Sequence, residues 1–349
     1  MTIEKFTYDE LEQIGNYSGM GRPARFNTPI TPRENMLRLY QGKTPMWIPS
    51  PSEMATLKID CDPENIARSP GDGPRIDGYG VEWIFVDSAG GAMVRPGNPK
   101  VKDINEWEKY VTVPDPETWD WEGCYERQKS RISDPTLMTG ITFGSCLFER
   151  LIAVMDFENA AMALFDEDQH EGVHRFFRAI TDYRKKYYAL CKKWFNPDTV
   201  NFNDDWGTQK AETFSMDIAR EMLVPYVKDA VSYARSLGMY VDLHCCGFVE
   251  HFVPFFIEEG FSSWGGQPIN DKPKLKKMYP GDFIFTHSVD VPADATDEEV
   301  EALVLKFMDE FGYDNRGYYG GRDERFRKKL YEVSRQNYDR LVAEGKAIL

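Results

Sequence analysis

Long hydrophobic runs are missing from this chain. No apolar stretch approaches the ~20 residues that a bilayer-spanning helix needs. The opening residues, MTIEKFTYDELEQIGN, are polar from the start and hold no apolar signal core. Positive charge is in deficit: 42 Lys and Arg stand against 57 Asp and Glu, a formal net charge of −15. A surface that acidic repels DNA, RNA and anionic membranes, which sets aside nucleic-acid and membrane-surface roles. Cysteine is sparse. The 6 cysteines (Cys61, Cys124, Cys146, Cys191, Cys245, Cys246) lack the spacing of a small disulfide scaffold, so they read as reduced thiols. There is no repeat of fixed period and no low-complexity tract. These absences point to a soluble, cytoplasmic protein.

With 42% hydrophobic and 14% aromatic residues, a sizeable packed core is feasible. Pro and Gly cluster at 69–80 (SPGDGPRIDGYG) and 89–98 (AGGAMVRPGN), which read as loops. Short apolar runs predict strands at 46–50, 137–143, 200–204, 240–245, 261–265, 283–288 and 317–321. Apolar spacing of i, i+3, i+4 predicts helices at 215–238, 250–260 and 296–312. Each ends in Gly, and the last opens on Thr296 as N-cap. Such alternation predicts an α/β fold with a parallel sheet covered by helices. The length matches a (β/α)8 TIM barrel with an N-terminal extension over about 1–45, the whole of 1–349 forming one domain. A doubly wound open sheet is the alternative. The lack of a G-x-G-x-x-G after a first strand weakens its dinucleotide-binding version.

A barrel of this kind keeps its chemistry at the C-terminal ends of the strands. The richest such end is YVDLHCCGF (240–248). Strand side chains alternate between faces. Tyr240, Asp242, His244 and Cys246 fall on one face; Val241, Leu243 and Cys245 fall on the other. The polar set belongs at the barrel mouth, and Cys245 reads as a small buried hydrophobe. His244 and Cys246, two positions apart, can chelate a borderline-soft ion such as Zn²⁺. A third ligand is then required, and no cysteine follows Cys246. The open choices are a carboxylate, Asp205 or Asp204 first, or Cys146 or Glu149 from the earlier loop. The acidic strand end NFNDDWGTQ (201–209) offers Asp204 and Asp205 as metal ligand or general acid. Tyr79, Trp83, Phe143, Trp206 and Trp264 could line an aromatic-substrate pocket. Gln209 and His287 join them as substrate-contacting candidates. His170 and His174 lie in an amphipathic helical segment and read as surface.

The H-C-C-G stretch after a strand resembles the His-x-Cys-Gly signature of the uroporphyrinogen decarboxylase-like methyltransferases. The order of TPRENMLRLYQGKTPMWIP, DGYGVEW, ITFGSCLFERLIAVMDFENAAMALFDED, NDDWGTQ and the segment around HCCG resembles that family over roughly residues 30–345. The resemblance implies a (β/α)8 barrel. Decarboxylases of the family carry an Arg-rich N-terminal motif for substrate carboxylates, and GRPARFNTPITPREN lacks it. The other branch holds zinc with the His and Cys of His-x-Cys and a later Cys near the final strand. His244 and Cys246 match the first two, while RGYYGGRD (316–323) has no Cys. A carboxylate would then take the third place, Asp205 first.

What the corrinoid-dependent branch implies is transfer of a methyl group from a methoxylated aromatic or other methylated small molecule to cob(I)alamin. The corrinoid is carried by a partner protein, and zinc or an Asp acid activates the leaving group. Expected partners are the small methylated substrate and the corrinoid protein; a homodimer is compatible with the sequence. The rivals are a metal-free decarboxylase of an aromatic or tetrapyrrole acid and a non-catalytic barrel that binds a corrinoid or methylated compound.

Overall fold

The computed structural model describes residues 5–17, 24–64, 69–89 and 91–349. An antiparallel pair, β1 (Gln13–Asn16) and β2 (Ala24–Phe26), precedes β3 (Met54–Lys58). A small antiparallel sheet follows, formed by β4 (Arg75–Ile76), β5 (Glu82–Val86) and β6 (Gly91–Val94). Six more strands alternate with helices: β7 (Met138–Thr142), β8 (Thr199–Asn203), β9 (Tyr240–His244), β10 (Ser263–Gly265), β11 (Ile284–His287) and β12 (Tyr318–Tyr319). These six and β3 make one sheet in the order β12-β11-β10-β9-β8-β7-β3, and every pairing in it is parallel.

The sheet curls into a partial barrel with β12 and β3 as its edges, and the segment 46–50 lies against the β12 edge. The Tyr319 N–H donates to the Pro49 carbonyl at 3.0 Å. The Tyr318 hydroxyl, on β12, reaches Met54 Sδ on β3 at 3.6 Å. Its concave face carries Met54, Asn201, Asp242, Ser263, Thr286 and Tyr318. Its convex face carries Leu57, Ile141, Val200, Phe202, Val241, Leu243 and Phe285, which join the buried apolar cluster under the helices. The period of two thus separates a mostly polar inner row from an apolar outer row.

The helices obey local rules. Thr296 caps Asp297–Phe307 with a reciprocal box: its hydroxyl accepts from Glu299 N–H, and Glu299 accepts from Thr296 N–H at 2.8 Å. A one-turn π segment, Met308–Gly312, ends it. The helical stretch expected over 215–238 runs over 216–236, with a π segment at Ala219–Leu223, and Gly238 (φ +75°) lets the chain leave it. The longest helix, Glu167–Phe195, is capped by Asp166 and stopped by Asn196 in the left-handed region.

Two expectations are corrected. Residues 46–50 are not a strand, and the sheet's first strand is β3. Pro45, Pro49 and Pro51 cannot donate to a ladder. The Asn35 side chain instead bonds Met46 N–H and the Trp47 carbonyl, which holds the segment in place. The Gly- and Pro-rich stretches 69–80 and 89–98 are also not purely loops, because β4 and β6 lie within them and pair with β5.

Candidate metal centre

Strands β8 and β9 lie side by side with Asn203 opposite His244. The Asp204 N–H continues the pairing by donating to the His244 carbonyl at 3.0 Å. Beyond this point the two chains end in DDWG and CCG, and the alternation continues into both. Asp204 and Cys245 turn outward, while Asp205 and Cys246 turn toward the mouth.

Asp205, His244 and Cys246 form a set whose ligand atoms all lie within 4.8 Å of one another. Cys246 Sγ is 3.2 Å from His244 Nε2, and Asp205 Oδ1 is 4.0 Å from the same nitrogen. The backbone N–H of Cys246 donates to Asp205 Oδ1 at 2.6 Å, which aims the carboxylate at the other two ligands. Tetrahedral zinc with bonds of about 2.0–2.3 Å separates its ligand atoms by roughly 3.4–3.7 Å, so the set is close to the spacing that zinc needs. One nitrogen, one sulfur and one oxygen suit a borderline ion. Three protein ligands leave a fourth position for water or substrate. His244 is about half exposed (48% of its side chain), so the site opens outward.

Burial, and then the facing carboxylates of Asp205 and Glu149, push the Cys246 thiol up to about 12. A bound cation acts in the opposite sense and favours the thiolate. Glu149 is held well above the ordinary carboxyl range, first by burial and then by Asp205 and Asp204, and it accepts from Asn203 Nδ2 at 2.9 Å. Among the described residues, neither Glu149 nor Cys146 belongs to the ligand set. Cys146 is buried at the start of the helix Leu147–Met155.

The loops after β8 and β9 meet backbone to backbone. Gly247 has φ +83°, and a Cβ there would lie 2.2 Å from the Gly207 carbonyl. A side chain at 247 would therefore push the Asp205 and Cys246 loops apart. Gln209, expected to contact substrate, sits on this rim. It donates to Gln267 Oε1 at 2.7 Å, and the same oxygen accepts from Gly247 N–H at 3.2 Å.

Several expected site residues lie elsewhere. Asp204 is fully buried and turned away from the mouth. Its carboxylate accepts from the Phe148 and Glu149 N–H groups at the N-terminus of the helix Leu147–Met155, and from Trp206 Nε1 at 2.7 Å. Burial raises it to about 6 against those hydrogen bonds. Trp206 itself is packed among Phe214, Phe252, Phe255 and Phe256. Trp264 is fully buried against Phe256 and donates to the Cys245 carbonyl. Phe143 packs outward on Tyr187 and Tyr188. Tyr79 is buried under the Arg150 guanidinium, 4.0 Å from its ring, and Trp83 Nε1 donates to Asp77. None of these five forms an aromatic wall at the mouth. His287 also faces outward, stacked on Phe307 and close to Phe311, because Ile284 and Thr286 take the inward positions of β11. Burial, with Lys272 nearby, lowers it to about 4, so it is neutral at pH 7.

Two features escape the sequence reading. Lys272, at the start of the helix Lys272–Met278, is buried with its Nζ donating to the Gly266 carbonyl. Burial lowers its ammonium to about 8, and Cys246 acts against that shift. Its only sequence signal is the Asn-Asp-Lys-Pro helix start, which does not distinguish it from a surface lysine. The second feature is a cavity of about 190 Å³ inside the concave face, directly below His244, floored by Tyr40 and Asp242. No helix among the described residues is long and apolar enough to cross a membrane.

Neither a family model nor a curated protein matches the chain. Among solved structures, the crystal structure of a sugar phosphate isomerase/epimerase from Parabacteroides distasonis is similar over 61% of this chain and 73% of that one. The identity is 11% and the TM-score 0.29, a level of likeness that says nothing about activity.

Proposed function

We propose that this protein is a corrinoid-dependent methyltransferase of the O-demethylase type, built on a uroporphyrinogen decarboxylase-like (β/α)8 barrel. The methyl donor is a methoxylated aromatic or another methylated small molecule. The acceptor is the cob(I)alamin of a partner protein. The observation that carries this reading is the convergence of Asp205, His244 and Cys246 at an open strand end.

Zinc, when bound, supplies a Lewis acid for the departing oxygen or nitrogen. His244 offers Nε2, Cys246 its thiolate, and Asp205 the oxygen that the Cys246 N–H orients. The methyl–heteroatom bond breaks with its electron pair left on the leaving group, and the methyl passes to the cobalt(I) nucleophile. The exposed flank of His244 leaves room for a second protein to approach.

The test joins metal analysis to an activity assay. Purified protein contains about one zinc per chain, Cys246→Ala loses it, and cob(I)alamin is methylated by a member of a panel of methoxyaromatics and methylamines. Full metal content in Cys246→Ala sinks the ligand assignment. A metal-loaded protein that methylates nothing on the panel counts against the methyltransferase reading.

A further inference from the structure

The cavity below the triad points to a substrate class. A closed parallel sheet normally fills its interior with bulky branched side chains. Here the inward positions of β8, β10 and β11 carry Asn201, Ser263, Gly265 and Thr286 beside a single branched aliphatic, Ile284, and about 190 Å³ stays open beneath His244. That volume lies below the range of drug-sized pockets, so it suits a small ligand.

The chemistry of its floor is specific. Tyr40, the last residue of the helix Pro32–Tyr40, plugs the sheet from below, with its ring 4.9 Å from that of Tyr240. Its hydroxyl donates to Asp242 Oδ1 at 2.9 Å. Ser263 Oγ donates to the same oxygen at 2.6 Å. The donors that meet Asp242 are hydroxyls, and among the described residues no Lys, Arg or His forms an ion pair with it. Tyr318 also lines the same space. An interior carboxylate with no protein cation, beside Tyr40 and Tyr318, is a donor set suited to an organic ammonium, which gains ion-pair attraction there and has aromatic side chains within the same lining.

We propose that the cavity binds a small organic cation of the tertiary or quaternary ammonium class, with its nitrogen at Asp242 and its other end at the Asp205–His244–Cys246 set. Residues 242 and 244 are separated by about 6.6 Å along the strand. The ligand is therefore short, its ammonium and its far polar end lying about one strand repeat apart. The role of that far end rests on the methyl-transfer reading; the cation subsite rests on the cavity alone.

Calorimetric titration of the purified full-length protein with choline and with 3,3-dimethyl-1-butanol, its uncharged analogue of the same shape, tests the subsite. Choline binds at least tenfold more tightly, and Asp242→Asn reduces the ratio to about one while zinc per chain is unchanged. Thr286→Leu, which fills the cavity from β11 and leaves Asp242 intact, abolishes choline binding and covers the case in which the Asn variant misfolds. Equal affinity for the two compounds, no choline binding by the wild-type protein, or a preference that survives in folded Asp242→Asn overturns the inference. Zinc content without choline binding removes this inference and leaves the methyltransferase reading standing. Choline binding without zinc or methyl transfer does the reverse.

Discussion

The Cys246 N–H donates to Asp205 Oδ1 at 2.6 Å, so the residue that offers the thiol also positions the carboxylate. One hydrogen bond between neighbouring strand ends thereby holds two of the three candidate ligands in a common orientation. Its neighbour Asp204 is committed to a helix N-terminus instead, and the pair can be separated by experiment.

Asp205→Asn weakens zinc binding at least tenfold and changes folding stability little, since Asp205 is a third exposed. Asp204→Asn keeps its zinc but loses about 1–3 kcal/mol, because buried N–H donors lose a charged acceptor. Chelator competition and urea denaturation on both variants read the two effects. The opposite pattern would falsify the division of roles.

Gly247→Ala costs roughly 2 kcal/mol or more and lowers metal content. The left-handed backbone strains any Cβ, and this one meets the Gly207 backbone. Thermal melting with zinc analysis checks this. A variant as stable and as metal-rich as the parent would show that the two loops can part without harm.

Glu53 supplies a pH dependence remote from the Asp205–His244–Cys246 set. It is buried, accepts from Trp47 Nε1 at 2.8 Å, and burial raises its carboxyl to about 7. A carboxyl raised in the folded state holds its proton more tightly there than in the unfolded chain. Its contribution is therefore full below the ordinary glutamate range, falls as pH rises to about 7, and stays low above that. The loss across that window is roughly 3 kcal/mol at most. Glu53→Gln flattens this part of the stability curve. Denaturation midpoints for both proteins between pH 4.5 and 8 measure it, and parallel curves count against the assignment.

His287→Leu leaves zinc content and methyl transfer within twofold of the parent, since the ring packs between Phe307 and Phe311 on the convex side. A larger fall in activity at unchanged stability would place His287 in the site after all.

The strand and helix pattern was readable from residues 137 onward because apolar periodicity and Gly stops are local signals. Where tertiary bonds replaced a ladder, as Asn35 does for Met46 and Trp47, the apolar run misled. The split of Cys245 from Cys246 followed from alternation alone. The same parity, extended along β8, β10 and β11, turns Asp204, Trp264 and His287 outward as well. It was legible in principle for those strands, and it explains why the expected aromatic wall is core.

Chemistry confined to one strand was therefore written in local order: His244 and Cys246 share a face because side chains alternate every residue. Completion of the candidate set by a third residue was not local. Residue type put Asp205 or Asp204 ahead of Cys146 and Glu149 without deciding among them, and strand register together with the Cys246 N–H bond brings Asp205 to the other two. The cavity is likewise a product of packing. Tyr40 and Asp242 are 202 residues apart, and they meet because the sheet curls around a plug contributed by an earlier helix. Periodicity is carried by neighbours in the chain, whereas a site's closure depends on distances that exist after folding.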